Sequence, residues 1–189
     1  MAMALVPGSL SHVAERTGKG IAATFLGAEY VVVIDTSGSM DTHDAAGGQR
    51  RFDAAVVELA ALQRAHPGQL AVVAFSDYPQ FVPGGVPPFL GAGTDLAAAL
   101  RFVQVCDGTV KSFIVLSDGQ PSDPTACLRL ARQFKSRIEA VYIGSEVERS
   151  GQQFLRELAA AGGGRYEIAA RVQSLADRVR LLLVGEERE

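Results

Sequence analysis

The sequence predicts an α/β domain: an open, mostly parallel, six-stranded sheet with helices on both faces. Two observations carry that expectation. Short, continuously apolar and often β-branched runs such as Tyr30-Val31-Val32-Val33-Ile34 recur along the chain, and a strand without polar alternation is one covered on both faces. Between these runs lie segments whose apolar residues fall at helical spacing, and repeated strand and helix alternation implies right-handed crossovers and parallel pairing.

After the run at Tyr30 to Ile34, a helix carries Phe52, Ala55, Val56, Leu59 and Leu62 on one stripe and ends near His66-Pro67-Gly68. Leu70 to Phe75 is the second strand. Pro79, Pro83, Pro87 and Pro88 then confine the next stretch to loop or edge, with Gln80-Phe81-Val82 as a short edge strand. A second helix places Leu96, Ala99, Leu100 and Val103 together, and Phe113 to Leu116 returns as a buried strand. Asp123 before Pro124 reads as a helix cap followed by a first-turn proline, opening a helix to about Lys135. Ala140 to Ile143 is the fifth strand. Ser150 and Gln153 form a capping-box pattern for a helix that the glycines at 162 to 164 end, and Arg165 to Ile168 adds a last strand. A final helix aligns Val172, Leu175, Val179, Leu182 and Leu183 before the charged residues 185–189. Ahead of the domain, residues 1–27 read as an arm in which Leu10, Val13 and Ala14 begin a short helix that Gly18 and Gly20 interrupt.

The composition excludes several classes. Eighteen Lys and Arg against 21 Asp and Glu give a net charge of -3, with no basic block to neutralise a run of phosphates, so nucleic acid is not an expected partner. No apolar run approaches the roughly 20 residues of a membrane span. The opening Met1 to Gly8 has no basic start and is broken by Pro7, which reads as unexported and makes a cytoplasmic location the expectation. Cys106 and Cys127 belong to no paired motif and read as separate buried thiols. His12, His43 and His66 are scattered surface residues rather than zinc ligands. The residues fix no oligomeric state.

In open parallel sheets the loops leaving the carboxyl ends of strands build the ligand site. Three such loops concentrate small oxygen-bearing side chains: Asp35-Thr36-Ser37-Gly38-Ser39-Met40, Gly91-Ala92-Gly93-Thr94-Asp95, and Ser117 to Asp123. Asp35 and Asp118 supply carboxylates, and Ser37, Ser39 and Thr94 supply hydroxyls. An all-oxygen set suits a hard cation, magnesium first, with manganese or calcium also compatible. Glycines 38, 93 and 119 let the loops crowd a small ion. The first loop, taken alone, also reads as a local turn or capping sequence. Asp123 is expected as a cap, Asp95 as a first-turn acid and Asp41 as an outer residue of the site. Arg50 and Arg51 read either as guides for an acidic partner or as ordinary exposed arginines, beside a polar loop from Asp41 to Gly48 that shapes specificity.

Asp-x-Ser-x-Ser at 35 to 39, Thr94 in Gly-Thr-Asp and Asp118 in Ser-Asp-Gly together resemble the metal-ion-dependent adhesion site of von Willebrand factor type A domains. The likeness runs over residues 28–184. It implies a sheet of order 3-2-1-4-5-6 with one short antiparallel edge strand. It also implies that Asp35, Ser37, Ser39, Thr94 and Asp118 hold the ion directly or through water, leaving one position for a Glu or Asp of a protein partner. Members that resemble integrins shift their last helix when that ligand changes. Intracellular bacterial relatives suggest an adaptor in a stress-response or ATPase-linked system, tellurite-resistance clusters included.

Enzyme readings fit less well. Ser37 interrupts both an aspartic-protease triplet and the Asp-x-Asp-x-Thr of haloacid-dehalogenase phosphatases, no His follows His66 to complete a serine hydrolase, and no phosphate-binding Gly-x-x-x-x-Gly-Lys-Ser occurs. The expectation is a non-catalytic module. A magnesium-dependent phosphatase-like hydrolase and a structural domain with a vestigial site are the alternatives.

Overall fold

The computed structural model describes residues 5–45, 48–145 and 147–168. The helix expected from Val172 to Leu183 and the tail at 185–189 lie outside the described residues. Six strands, β1 (Tyr30–Asp35), β2 (Leu70–Phe75), β3 (Pro79–Phe81), β4 (Ser112–Ser117), β5 (Arg137–Tyr142) and β6 (Gly163–Ile168), form one sheet. Its order is β3-β2-β1-β4-β5-β6, with β3 antiparallel to β2 and every other pair parallel. This is the expected order.

The absence of polar alternation in the strands has its cause in two cores. Val31 and Val33 of β1 join Ala71, Val73, Phe113 and Val115 on one face, beneath the helices α4 (Leu96–Val103), α5 (Pro124–Ala131) and α6 (Arg149–Ala161). Val32 and Ile34 join Leu70, Val72, Ile114 and Leu116 on the other, beneath Phe52, Ala55, Leu59 and Leu62 of α3 (Arg51–Ala65). Successive residues of a strand point to opposite faces, so both sets must be apolar.

Residues 8 to 27, expected as an arm with a short helix, pack against the domain. They hold two helices, α1 (Leu10–Thr17) and α2 (Ile21–Phe25), and Gly18 ends α1 in the left-handed conformation with φ 69°. Leu10 is buried with the first core, and Phe25 meets Phe81 of the edge strand edge-on with centroids 5.4 Å apart.

Several boundaries differ from the sequence expectation, among them β3, which is Pro79–Phe81 rather than Gln80 to Val82, and β6, which begins at Gly163 rather than Arg165. β5 begins at Arg137 rather than Ala140, because the buried Glu139 is not a surface residue: its carboxylate accepts the Arg165 N–H where the pairing of β5 with β6 shifts register. α5 stops at Ala131. α6 starts after Glu148 with no side-chain cap, so the Ser150 and Gln153 pattern does not cap it.

Candidate metal centre

The site starts where β1 runs out of the core. Asp35 is fully buried; its Oδ1 accepts the Ser37 N–H at 2.9 Å and its Oδ2 accepts the Ser117 hydroxyl at 2.6 Å. Thr36 anchors the turn to β2, its hydroxyl and its amide both donating to the Phe75 carbonyl at 2.9 Å. The chain then enters a 3-10 turn, Gly38–Asp41, and the Ser37 and Ser39 hydroxyl oxygens lie 3.1 Å apart.

Backbone bonds lace the other two loops onto this one. Gly38 donates to the Ala92 carbonyl at 3.1 Å, and Gly91 donates to the Thr36 carbonyl at 2.9 Å. Ser122 donates to the Thr94 carbonyl at 2.9 Å, which joins the loop before α4 to the loop after β4. The structure thus places Asp35, Ser37, Ser39, Thr94 and Asp118 in one cluster of loops at the carboxyl end of the sheet. The glycines let the loops pack closely: with φ 77°, Gly119 lies against the Gly151 carbonyl where any Cβ would collide, and a Cβ on Gly38 would sit 3.3 Å from the Ala92 oxygen.

Asp118, also fully buried, has two unlike oxygens. Oδ2 accepts from Arg51 Nη1 at 2.9 Å, whereas Oδ1 is buried with no hydrogen-bond partner. Burial, and next the charge of Asp118, push the Asp35 carboxyl up to about 6 against the opposing bonds from Ser117 and Ser37. Of the two buried carboxylates, Asp35 is held by the Ser37 amide and the Ser117 hydroxyl and Asp118 by Arg51, and one oxygen of Asp118 is left unanswered. That is the arrangement expected of a cation site. Among the described residues no group of three or more His, Cys, Asp or Glu is placed to hold a metal, so the hydroxyls of Ser37, Ser39 and Thr94 would have to complete the shell. Such donors fit a hard cation.

Ser117, Asp44 and Glu148 were not singled out from the sequence as part of this neighbourhood, and Arg51 was read there only as a guide for a partner or a surface arginine. Ser117 holds Asp35 in place and also accepts the Gly119 N–H at 2.9 Å. Arg51 is 4% exposed, neither a steering group nor a loose surface arginine, and it pairs with Asp44, Asp118 and Glu148. Its signal was present: Arg51 precedes Ala55, Leu59 and Leu62 by 4, 8 and 11 positions and so lies on the buried stripe of α3. Arg50 is also engaged, bonding Asp53 and Asp41 and stacking over Phe52 and Phe89. Asp41 is therefore an exposed partner of Arg50, while Asp95 and Asp123 are caps, accepting the N–H of Ala98 at 2.8 Å and of Ala126 at 2.9 Å. An open apolar groove of about 670 Å³, lined by Ile21, Phe25, Leu26, Phe102 and Val105 among others, lies at the far end of α4 from these loops.

No protein-family model matches the chain, and no curated protein matches its sequence. Solved structures do share its fold. An aerotolerance-related membrane protein from Bacteroides fragilis superposes with a TM-score of 0.66 at 14% identity, over 84% of this chain and 100% of the other. BatB from Bacteroides thetaiotaomicron gives 0.64 at 15%, over 86% and 100%. The manganese-loaded TRAP protein of Plasmodium vivax gives 0.59 at 16%, over 82% and 72%. The fold is that of the von Willebrand A-like domains. Among the described residues no helix is long and apolar enough to cross a membrane.

Proposed function

We propose that this chain is a metal-dependent protein-interaction module and not an enzyme. Asp35, Ser37, Ser39, Thr94 and Asp118 hold one divalent cation, magnesium first among magnesium, manganese and calcium, and a protein partner presents a Glu or Asp to it. The reading rests on the bare, buried Oδ1 of Asp118 beside the buried Asp35. The manganese held by TRAP, a protein of the same fold, supports it. When bound, the ion supplies a Lewis-acidic position for an anionic oxygen. The chain's own part is to fix the carboxylates: Ser117 and the Ser37 amide orient Asp35, and Arg51 orients Asp118. Arg50 and Arg51 are each paired with carboxylates, so in this reading the ion and not these arginines receives the partner's acid. The expected setting is an adaptor in the bacterial cytoplasm, working with a stress-response or ATPase-linked system.

The test is the unfolding temperature after chelation, with and without added Mg²⁺ or Mn²⁺, in the wild type and in the double variant S37A/D118A. A ligand at 100 times its Kd stabilises by about 2.7 kcal/mol, so a rise of several degrees is expected in the wild type and none in the variant. An equal rise in both proteins would exclude these residues as ligands. A metal-dependent pull-down that free glutamate or acidic peptide suppresses would extend the result to the partner.

A further inference from the structure

Arg51 answers a question that the metal reading leaves open: how two buried carboxylates survive side by side when no ion is present. Its guanidinium faces carboxylates from three segments. Nε and Nη2 bond the two oxygens of Asp44 at 2.7 Å, Nη1 bonds Asp118 at 2.9 Å, and Nη2 bonds Glu148 at 3.2 Å. It also lies beside Gly144, where a Cβ would come within 3.1 Å of Cζ and Nε. Asp44 and Glu148 keep 28% and 31% of their side-chain exposure and can be solvated by water, but the Asp118 side chain has none and that of Arg51 has 5%. The buried pair is therefore Arg51 with Asp118, and removing one member of such a pair strands the other's charge.

We propose that Arg51 is the resident cation of this site. It neutralises Asp118 through Oδ2, leaves Oδ1 for the divalent ion, and so ties the loops after β1, after β4 and before α6 together while the site is empty. The cost of this device is affinity, since a fixed positive charge next to the site repels the ion that enters it. The inference rests on the metal reading for its second half only; the first half concerns the metal-free protein.

The experiment uses the full chain with R51M, R51K, D118N and R51M/D118N, reading the unfolding temperature in chelator and Mn²⁺ uptake by calorimetry. In chelator, R51M is expected to unfold about 8 °C or more below the wild type. Adding D118N to R51M should recover most of that loss, whereas D118N alone lowers stability. Mn²⁺ should bind about tenfold more tightly to R51M than to the wild type, with R51K near the wild type because the charge is kept. Should R51M not fold, a folded R51M/D118N supports the proposal on its own. It is overturned if R51M and R51M/D118N unfold at the same reduced temperature, since Arg51 then acts through Asp44 and Glu148, or if R51M takes up Mn²⁺ more weakly. If neither protein takes up Mn²⁺ the metal reading fails, while the D118N rescue still upholds or overturns Arg51 as the counter-charge of Asp118.

Discussion

Asp35 is held at about 6, well above an ordinary aspartate, and the sign of its effect on stability follows from that. A carboxyl that binds its proton more tightly when folded favours the fold while protonated, below about pH 4. That advantage is lost as pH rises through about 6, and the difference amounts to roughly 3 kcal/mol. Asp44, held below the usual range first by its bond from Arg51, contributes in the opposite sense, losing stability as pH falls. Urea unfolding in chelator should therefore show D35N gaining on the wild type between pH 4 and pH 7, by up to roughly 3 kcal/mol. Saturating Mn²⁺ at pH 7 should erase the gap, since only the wild type keeps the ligand. A difference curve flat with pH would mean that Asp35 is ionised at no cost. The five residues of the proposed shell stand out in the sequence because small oxygen-bearing side chains cluster in three loops, two leaving strand ends and one leading into α4. Ser117 and Arg51 were less so, because their partners Asp35, Asp118 and Glu148 lie 82, 67 and 97 positions away.

Among the elements, the two caps test whether an acid near the site belongs to the ion or to a helix. Asp123 accepts the Ala126 N–H and precedes Pro124 at the start of α5, so D123A should cost about 1 kcal/mol of stability by chemical denaturation. The metal-dependent rise in unfolding temperature should survive it unchanged. Loss of that rise in D123A would move the residue into the shell. Local rules sufficed for this cap, since Asp and Pro act on their own helix. They failed at the start of α6, where the expected Ser150 and Gln153 cap is absent and Glu148 is taken up by Arg51 and Gln120, and at Glu139, whose carboxylate accepts the Arg165 N–H beside the irregular β6 pairing. In both cases a tertiary partner decides what a polar residue does, and periodicity carries no information about that partner.

For the whole molecule, the arm before β1 sets the extent of the cooperative unit. A boundary at residue 28 followed from the glycines at 18 and 20, which do bracket the gap between α1 and α2. What those glycines do not reveal is where the helices dock. The Val6 and Ser11 amides bond the Gly84 and Pro83 carbonyls beyond the edge strand, and the Gly8 carbonyl accepts from Gly68 just before β2. Leu10 is 1% exposed, and Gly8 lies so close to the Gln63 carbonyl that no side chain fits. These contacts fall at the amino ends of the parallel strands, opposite the candidate metal centre. L10A should therefore cost about 2–5 kcal/mol, and a chain starting at residue 28 should lose at least as much, read as a lowered urea midpoint. Both should keep the metal-dependent rise in unfolding temperature, because the loops at 35, 94 and 118 hold together without the arm. If the shortened chain were as stable as the full one, the arm would be a separate segment resting on the domain. If it instead lost the metal response while remaining folded, the two ends of the sheet would be coupled through β1 and β2, the strands that lead from the arm's docking points to the site.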